Sequence, residues 1–168
     1  MMIRGGRVVA VSAAVLAAGL GVAGAASAGA EPAASFHGVF NETSTGSTAG
    51  YDIHGSAKMT IGPSGTVVEL NVSGLDPDKA YGSHLHNGTC ASGGGGHYQD
   101  VEGGGVVPPN ELWLSSGGAG LVPNRGGVSH GAGSATWAAR VSSGMSNARS
   151  VVVHEPGSGA RIACADLQ

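Results

Sequence analysis

"HGSAKMTIGPSGTVVELNV", residues 54–72, reads as a β-hairpin. In its second half Val68, Leu70 and Val72 alternate with Val67, Glu69 and Asn71, the period-2 pattern of a strand with one face buried. The "GPSG" at 62–65 supplies turn chemistry between the two halves. Further along, "SGLDPDK" (73–79) is a second turn cluster and "AYGSHLH" (80–86) a third strand. "SATWAARV" (134–141) places Ala135, Trp137, Ala139 and Val141 on one face, and "ARSVVVHE" (148–155) is another strand. No segment sustains a helical period, and 32 glycines would penalise one. Short alternating strands with regular turn signals predict an all-β antiparallel sandwich or flattened barrel. From Gly93 to Gly127 the chain is loop-like and rich in glycine, a length that a compact domain keeps mainly for function.

The 168 residues are a one-domain length, and three parts are expected. Residues 1–30 carry Arg4 and Arg7, an apolar run and small residues of the A-x-A kind, which reads as a signal peptide; a single membrane anchor is the alternative. Residues 31–50 are small and polar with little periodicity, and are expected to be a flexible leader; "NET" at 41–43 is a glycosylation sequon for a host that uses it. The β domain should then occupy residues 51–168. Without the first segment, six basic residues face eleven acidic ones, a net charge of −5. No basic cluster remains, which argues against nucleic acid or an anionic membrane as partner, and cleavage would leave no stable membrane insertion. Export to an oxidising compartment, secreted or in the cell envelope, would allow the two cysteines, Cys90 and Cys164, to close one disulfide. A thiolate metal site is the weaker alternative, since the pair lacks CxxC spacing.

Chemistry concentrates in "GSHLHNGTC", residues 82–90. In a strand His84 and His86 project from one face while Leu85 faces the opposite layer, so the imidazoles converge. His97 follows the flexible "ASGGGG" run, whose base Cys90 would tie to Cys164. His154 precedes Cys164 by ten residues, so the same bridge brings its strand end near the pair. Each of His97 and His154 alone would be an ordinary surface or capping residue; together the four point to a metal site. Four neutral imidazoles suit copper, although three histidines and a water would also suit a catalytic zinc, leaving a hydrolase open with Glu102 or Glu111 as base. His37, His54 and His130 are expected to face solvent.

These residues resemble the copper–zinc superoxide dismutase family. The resemblance rests on "GSHLHNGTC", "GGGGHYQD", "SVVVHE" and "GARIACADLQ" in family order, over about residues 51–168. It implies a Greek-key sandwich, copper bound by His84, His86, His97 and His154, and Arg161 as the group that attracts and orients the superoxide anion. Read without the family, Arg161 fits a surface ion pair and a functional cation equally. The implied activity is conversion of superoxide to dioxygen and hydrogen peroxide, with His97 also carrying a proton. Two departures stand out. No histidine lies between Tyr98 and Ser129, where the family has further zinc ligands, which argues against a normal zinc site. Glu111 falls near the family's zinc aspartate, and a surface or a copper-proximal carboxylate fits the sequence equally. The connection "EPGSG" (155–159) is much shorter than the family's anion-guiding loop. The chain therefore looks like the secreted, copper-only branch; the alternative is a non-enzymatic copper-binding or sequestering domain on the same fold. No oligomer interface can be read from these strands.

Overall fold

A computed structural model describes residues 33–118, 120–141 and 147–168. The expected signal segment, residues 1–30, lies outside the described residues. Seven strands dominate: β1 (Ala34–Glu42), β2 (His54–Gly62), β3 (Gly65–Ser73), β4 (Gly82–His86), β5 (Ser129–Ala135), β6 (Ser150–His154) and β7 (Arg161–Asp166). They form one sheet in the order β4-β6-β7-β1-β2-β3-β5, with every neighbouring pair antiparallel. The all-β expectation holds. Among the described residues the single α-helix, α1 (Ser44–Thr48), is one turn capped by Thr43, whose hydroxyl accepts from the Gly46 amide at 3.1 Å. Among the described residues no helix is long and apolar enough to cross a membrane.

The β2–β3 hairpin has the register anticipated from its alternation, from His54 opposite Ser73 to Gly62 opposite Gly65. Val68, Leu70 and Val72 point inward, where they meet Phe40, Met59, Leu85, Val151, Val153 and Ile162 in one core. Burying an aliphatic side chain of this size contributes about 1.5–3 kcal/mol, so the shared inward face is what curls the sheet on itself. Its two edges approach through residues 111–114, "ELWL". Leu114 donates its amide to Ser83 on β4 at 2.9 Å, and Ser115 and Ala132 on β5 exchange bonds at 3.0 and 2.9 Å.

Two expectations need correction. Residues 34–48, read as a flexible leader, are β1 and α1, and β1 lies in the middle of the sheet. Ala34–Val39 pair with β2, and Phe40–Glu42 pair with β7. The strand expected over "SATWAARV" (134–141) lies earlier, at Ser129–Ala135, and takes only Ser134 and Ala135 from that segment. Beyond it the Thr66 side chain takes over the backbone partners, donating to Trp137 O and accepting from the Ala139 amide, both at 2.8 Å.

Candidate metal centre

The site is a product of period-2 geometry on adjoining strand segments. On β4, Gly82, His84 and His86 share one face, and β6 sets His154 directly opposite Gly82. The free edge of β4 is covered by two further segments. His97 pairs with His86 and Trp113 with His84, while Gln99 pairs with Glu111. The result is a set of i, i+2 pairs (84/86, 97/99, 111/113) whose side chains face a common point.

Each of His84, His86, His97 and His154 offers one ring nitrogen, and these atoms lie within 4.8 Å of one another. His86 Nε2 and His154 Nε2 lie 3.2 Å apart. His154 Nδ1 donates to Gly159 O at 2.9 Å, which leaves its Nε2 bare toward the cluster. His97 Nδ1 is 2.8 Å from Glu111 Oε2; a carboxylate can only accept, so Nδ1 is the donor and Nε2 is the nitrogen that a metal would take from this ring. His84 Nδ1 and His86 Nδ1 are buried without a hydrogen-bond partner. An orphaned buried polar atom costs about 1–3 kcal/mol, which an ion in the cluster would relieve for any orphan it ligates. The donor set thus fits a metal ion that accepts imidazole nitrogen.

Electrostatics keep the ligands ready. Burial, then the neighbouring His97 and His154, push His84 down to about 3. Burial, with the other three histidines and Arg161 behind it, pushes His86 down to about 2. His154 is also lowered by burial, against the opposing effect of its bond to Gly159 and with help from His97 and Arg161. All three are neutral at physiological pH, as metal ligation requires.

Glu111 is the residue whose place the sequence left open. It is 2% exposed and takes three donors: His97 and Trp113 Nε1 at 2.8 Å on Oε2, and Gln99 Nε2 at 3.2 Å on Oε1. Burial by itself would raise its pKa, but the bonds from Trp113, His97 and Gln99 outweigh it and hold the carboxyl below its ordinary value. Trp113 went unnoticed in the sequence, yet its ring lies 4.6 Å from that of His84. The signal was available, because E-x-W and H-x-Q repeat the spacing of the histidine pair.

Several contacts fix the loop that delivers His97. Cys90 and Cys164 form the expected disulfide. Gly94, at φ +84°, turns where a Cβ would sit 2.9 Å from Val152 Cγ2. Arg161 donates Nη1 to Gly93 O and Nη2 to Gly95 O, both at 2.6 Å. Asp166 secures the base by accepting from the Cys90 amide at 2.8 Å. His37, His54 and His130 lie on strands with exposed side chains, away from the cluster. Glu102 borders a small cavity with Asn87, His97 and Gln99, and is not part of the four-histidine group. Neither a protein-family model nor a curated protein matches the chain.

Proposed function

We propose that this chain is an extracytoplasmic superoxide dismutase that works through copper held by His84, His86, His97 and His154. The observation that carries the reading is the donor set: four imidazoles and no carboxylate converge within 4.8 Å, a nitrogen-only set of the kind copper favours. The second ring nitrogen of His97 is committed to Glu111, which supports a site built for one metal. Bound there, copper would supply one-electron redox chemistry, oxidising one superoxide to dioxygen and reducing a second, with two protons, to hydrogen peroxide.

The chain's own residues do the rest. Glu111 orients His97 and fixes which of its nitrogens faces the cluster. His97, with its side chain 32% exposed, is the ligand best placed to pass a proton to the bulk. Arg161 stands beside the cluster, close enough to depress His86 and His154, and its guanidinium is braced by two loop carbonyls. In a domain with a net charge of −5 after export, such a local cation focuses an anion that the whole molecule repels. The connection after His154 is a tight turn, with the Glu155 amide bonded to Ala160 O at 2.7 Å, and it keeps that approach short. The disulfide accords with an oxidising compartment.

Arg161→Gln in the copper-loaded protein tests the assignment. The expected result is unchanged copper content, a slower reaction and a flattened dependence on ionic strength. A variant as fast and as salt-sensitive as the parent contradicts the role of Arg161. A parent protein that binds copper without dismutating superoxide leaves the sequestering alternative.

A further inference from the structure

We infer that Trp113 is an oxidative modification site: the side chain that takes up oxidising equivalents from hydrogen peroxide activated at the histidine cluster, and so shields the ligand imidazoles. The inference rests on the copper reading above but goes beyond it. Three observations carry it. The indole ring is in contact with a ligand, its centroid 4.6 Å from that of His84 at an interplanar angle of 51°. It is 43% exposed, so a small polar oxidant reaches it directly. The other easily oxidised side chains among the described residues are withdrawn from the cluster. Both cysteines are in the disulfide, Met59, Tyr81 and Tyr98 are fully buried, and the half-buried Tyr51 packs edge-on to Tyr81 with its hydroxyl donated to Glu155. Trp137 packs on Tyr98 in a tilted arrangement, ring centroids 5.5 Å apart, and donates to Pro109 O, with no ring contact to a ligand histidine.

The geometry also explains why the indole sits there at a cost. A half-exposed tryptophan on a domain surface gives up part of the burial that makes this residue stabilising. Its N–H alone could be replaced by a smaller donor to Glu111, such as an amide, yet a wide, electron-rich ring covers His84. One hydrogen peroxide balances the modification. Its O–O bond and a ring C–H bond break, and a ring C–O bond and an O–H bond form. The second oxygen leaves as water with the displaced proton. The ring loses two electrons and the peroxide gains two. The product is a hydroxytryptophan at position 113.

The test is peptide mapping by mass spectrometry on the full chain, copper-loaded and metal-free, after a limited dose of hydrogen peroxide, with copper content measured before the dose. Trp137 is the internal reference. The expected result is uptake of one oxygen at Trp113 about tenfold or more faster than at Trp137, the selectivity that placement beside a reacting centre confers, and no such preference without copper. In Trp113→Phe, which keeps a ring over His84, the oxygen should appear on the ligand histidines, and copper should be released sooner under the same dose. Equal oxidation of the two tryptophans in the parent protein overturns the inference, as does a Trp113→Phe variant whose ligands oxidise no faster than the parent's. The parent comparison stands even if that variant fails to fold. A chain that takes up no copper overturns the copper reading itself, and this inference with it, before any peroxide is added.

Discussion

Glu111→Ala removes the one acceptor shared by three donors, and its effect can be worked from the geometry. Oε2 holds both His97 Nδ1 and Trp113 Nε1 at 2.8 Å, and Oε1 holds Gln99 at 3.2 Å. His97 and Trp113 are partly exposed, so water re-solvates much of what the carboxylate leaves behind, and the loss of fold stability should be modest. Metal affinity has no such rescue, because the orientation of the His97 ring is set by that carboxylate. Loss of a partner of this kind weakens binding by about 10–100-fold, or about 1.4–2.7 kcal/mol. Alanine should fall at the upper end. Glutamine should fall at the lower end, since its carbonyl can still serve His97 and Trp113 while its NH₂ faces the Gln99 donor; Gln99 cannot flip freely, as its Oε1 already accepts from the Gly103 amide at 3.0 Å. Chelator competition at neutral pH on parent, Glu111→Gln and Glu111→Ala, paired with thermal unfolding of the metal-free forms, gives both quantities. Parental metal affinity in Glu111→Ala would refute the claim that this carboxylate organises the site.

Two further outcomes follow from the same structure. In the metal-free protein, burial holds His84 at about 3 and His86 at about 2, below the value of about 6.5 expected in the unfolded chain. The unfolded state therefore binds more protons once the pH drops below that value. Stability is complete above about pH 6.5 and declines as the pH falls toward the folded values, by at most about 2 kcal/mol per histidine at pH 5. Urea midpoints of metal-free protein at pH 7 and pH 5 check this, and equal midpoints would contradict it. Replacing both cysteines by serine opens a loop of 74 residues, for which chain-entropy reasoning gives a loss of about 4 kcal/mol. Denaturant unfolding should show that loss, and metal affinity should fall too, because Cys90 anchors the loop that carries His97; parental affinity in the double variant would separate the loop from the bridge.

Much of the site was legible because it is built from local periodicity. His84 and His86 share a face by strand geometry, and the two cysteines could form only one pairing within the chain. Glu111 was visible as a candidate base or metal-proximal carboxylate but not as the partner of His97: its place there depends on residues 111–114 lying along the edge of β4, a long-range contact that no local pattern encodes. Trp113 was hidden for the same reason, within a segment that reads as a short apolar stretch. β1 was missed because its inward positions are Phe36, Gly38 and Phe40, and the central one has no side chain to display the alternation. That glycine is structural, since a Cβ there would meet Asp166 O at 2.4 Å where the C-terminal segment crosses. The strand predicted beyond Ala135 ended early because Thr66 satisfies the backbone that a ladder would otherwise have paired.

The most direct test of the account is metal content and superoxide dismutation measured on one preparation of purified, copper-reconstituted protein, with His154→Ala beside it. One copper per chain, negligible zinc after exposure to both metals, and dismutation that disappears with His154 are the expected results. Tight copper binding without dismutation, or uptake of zinc in preference to copper, would contradict it.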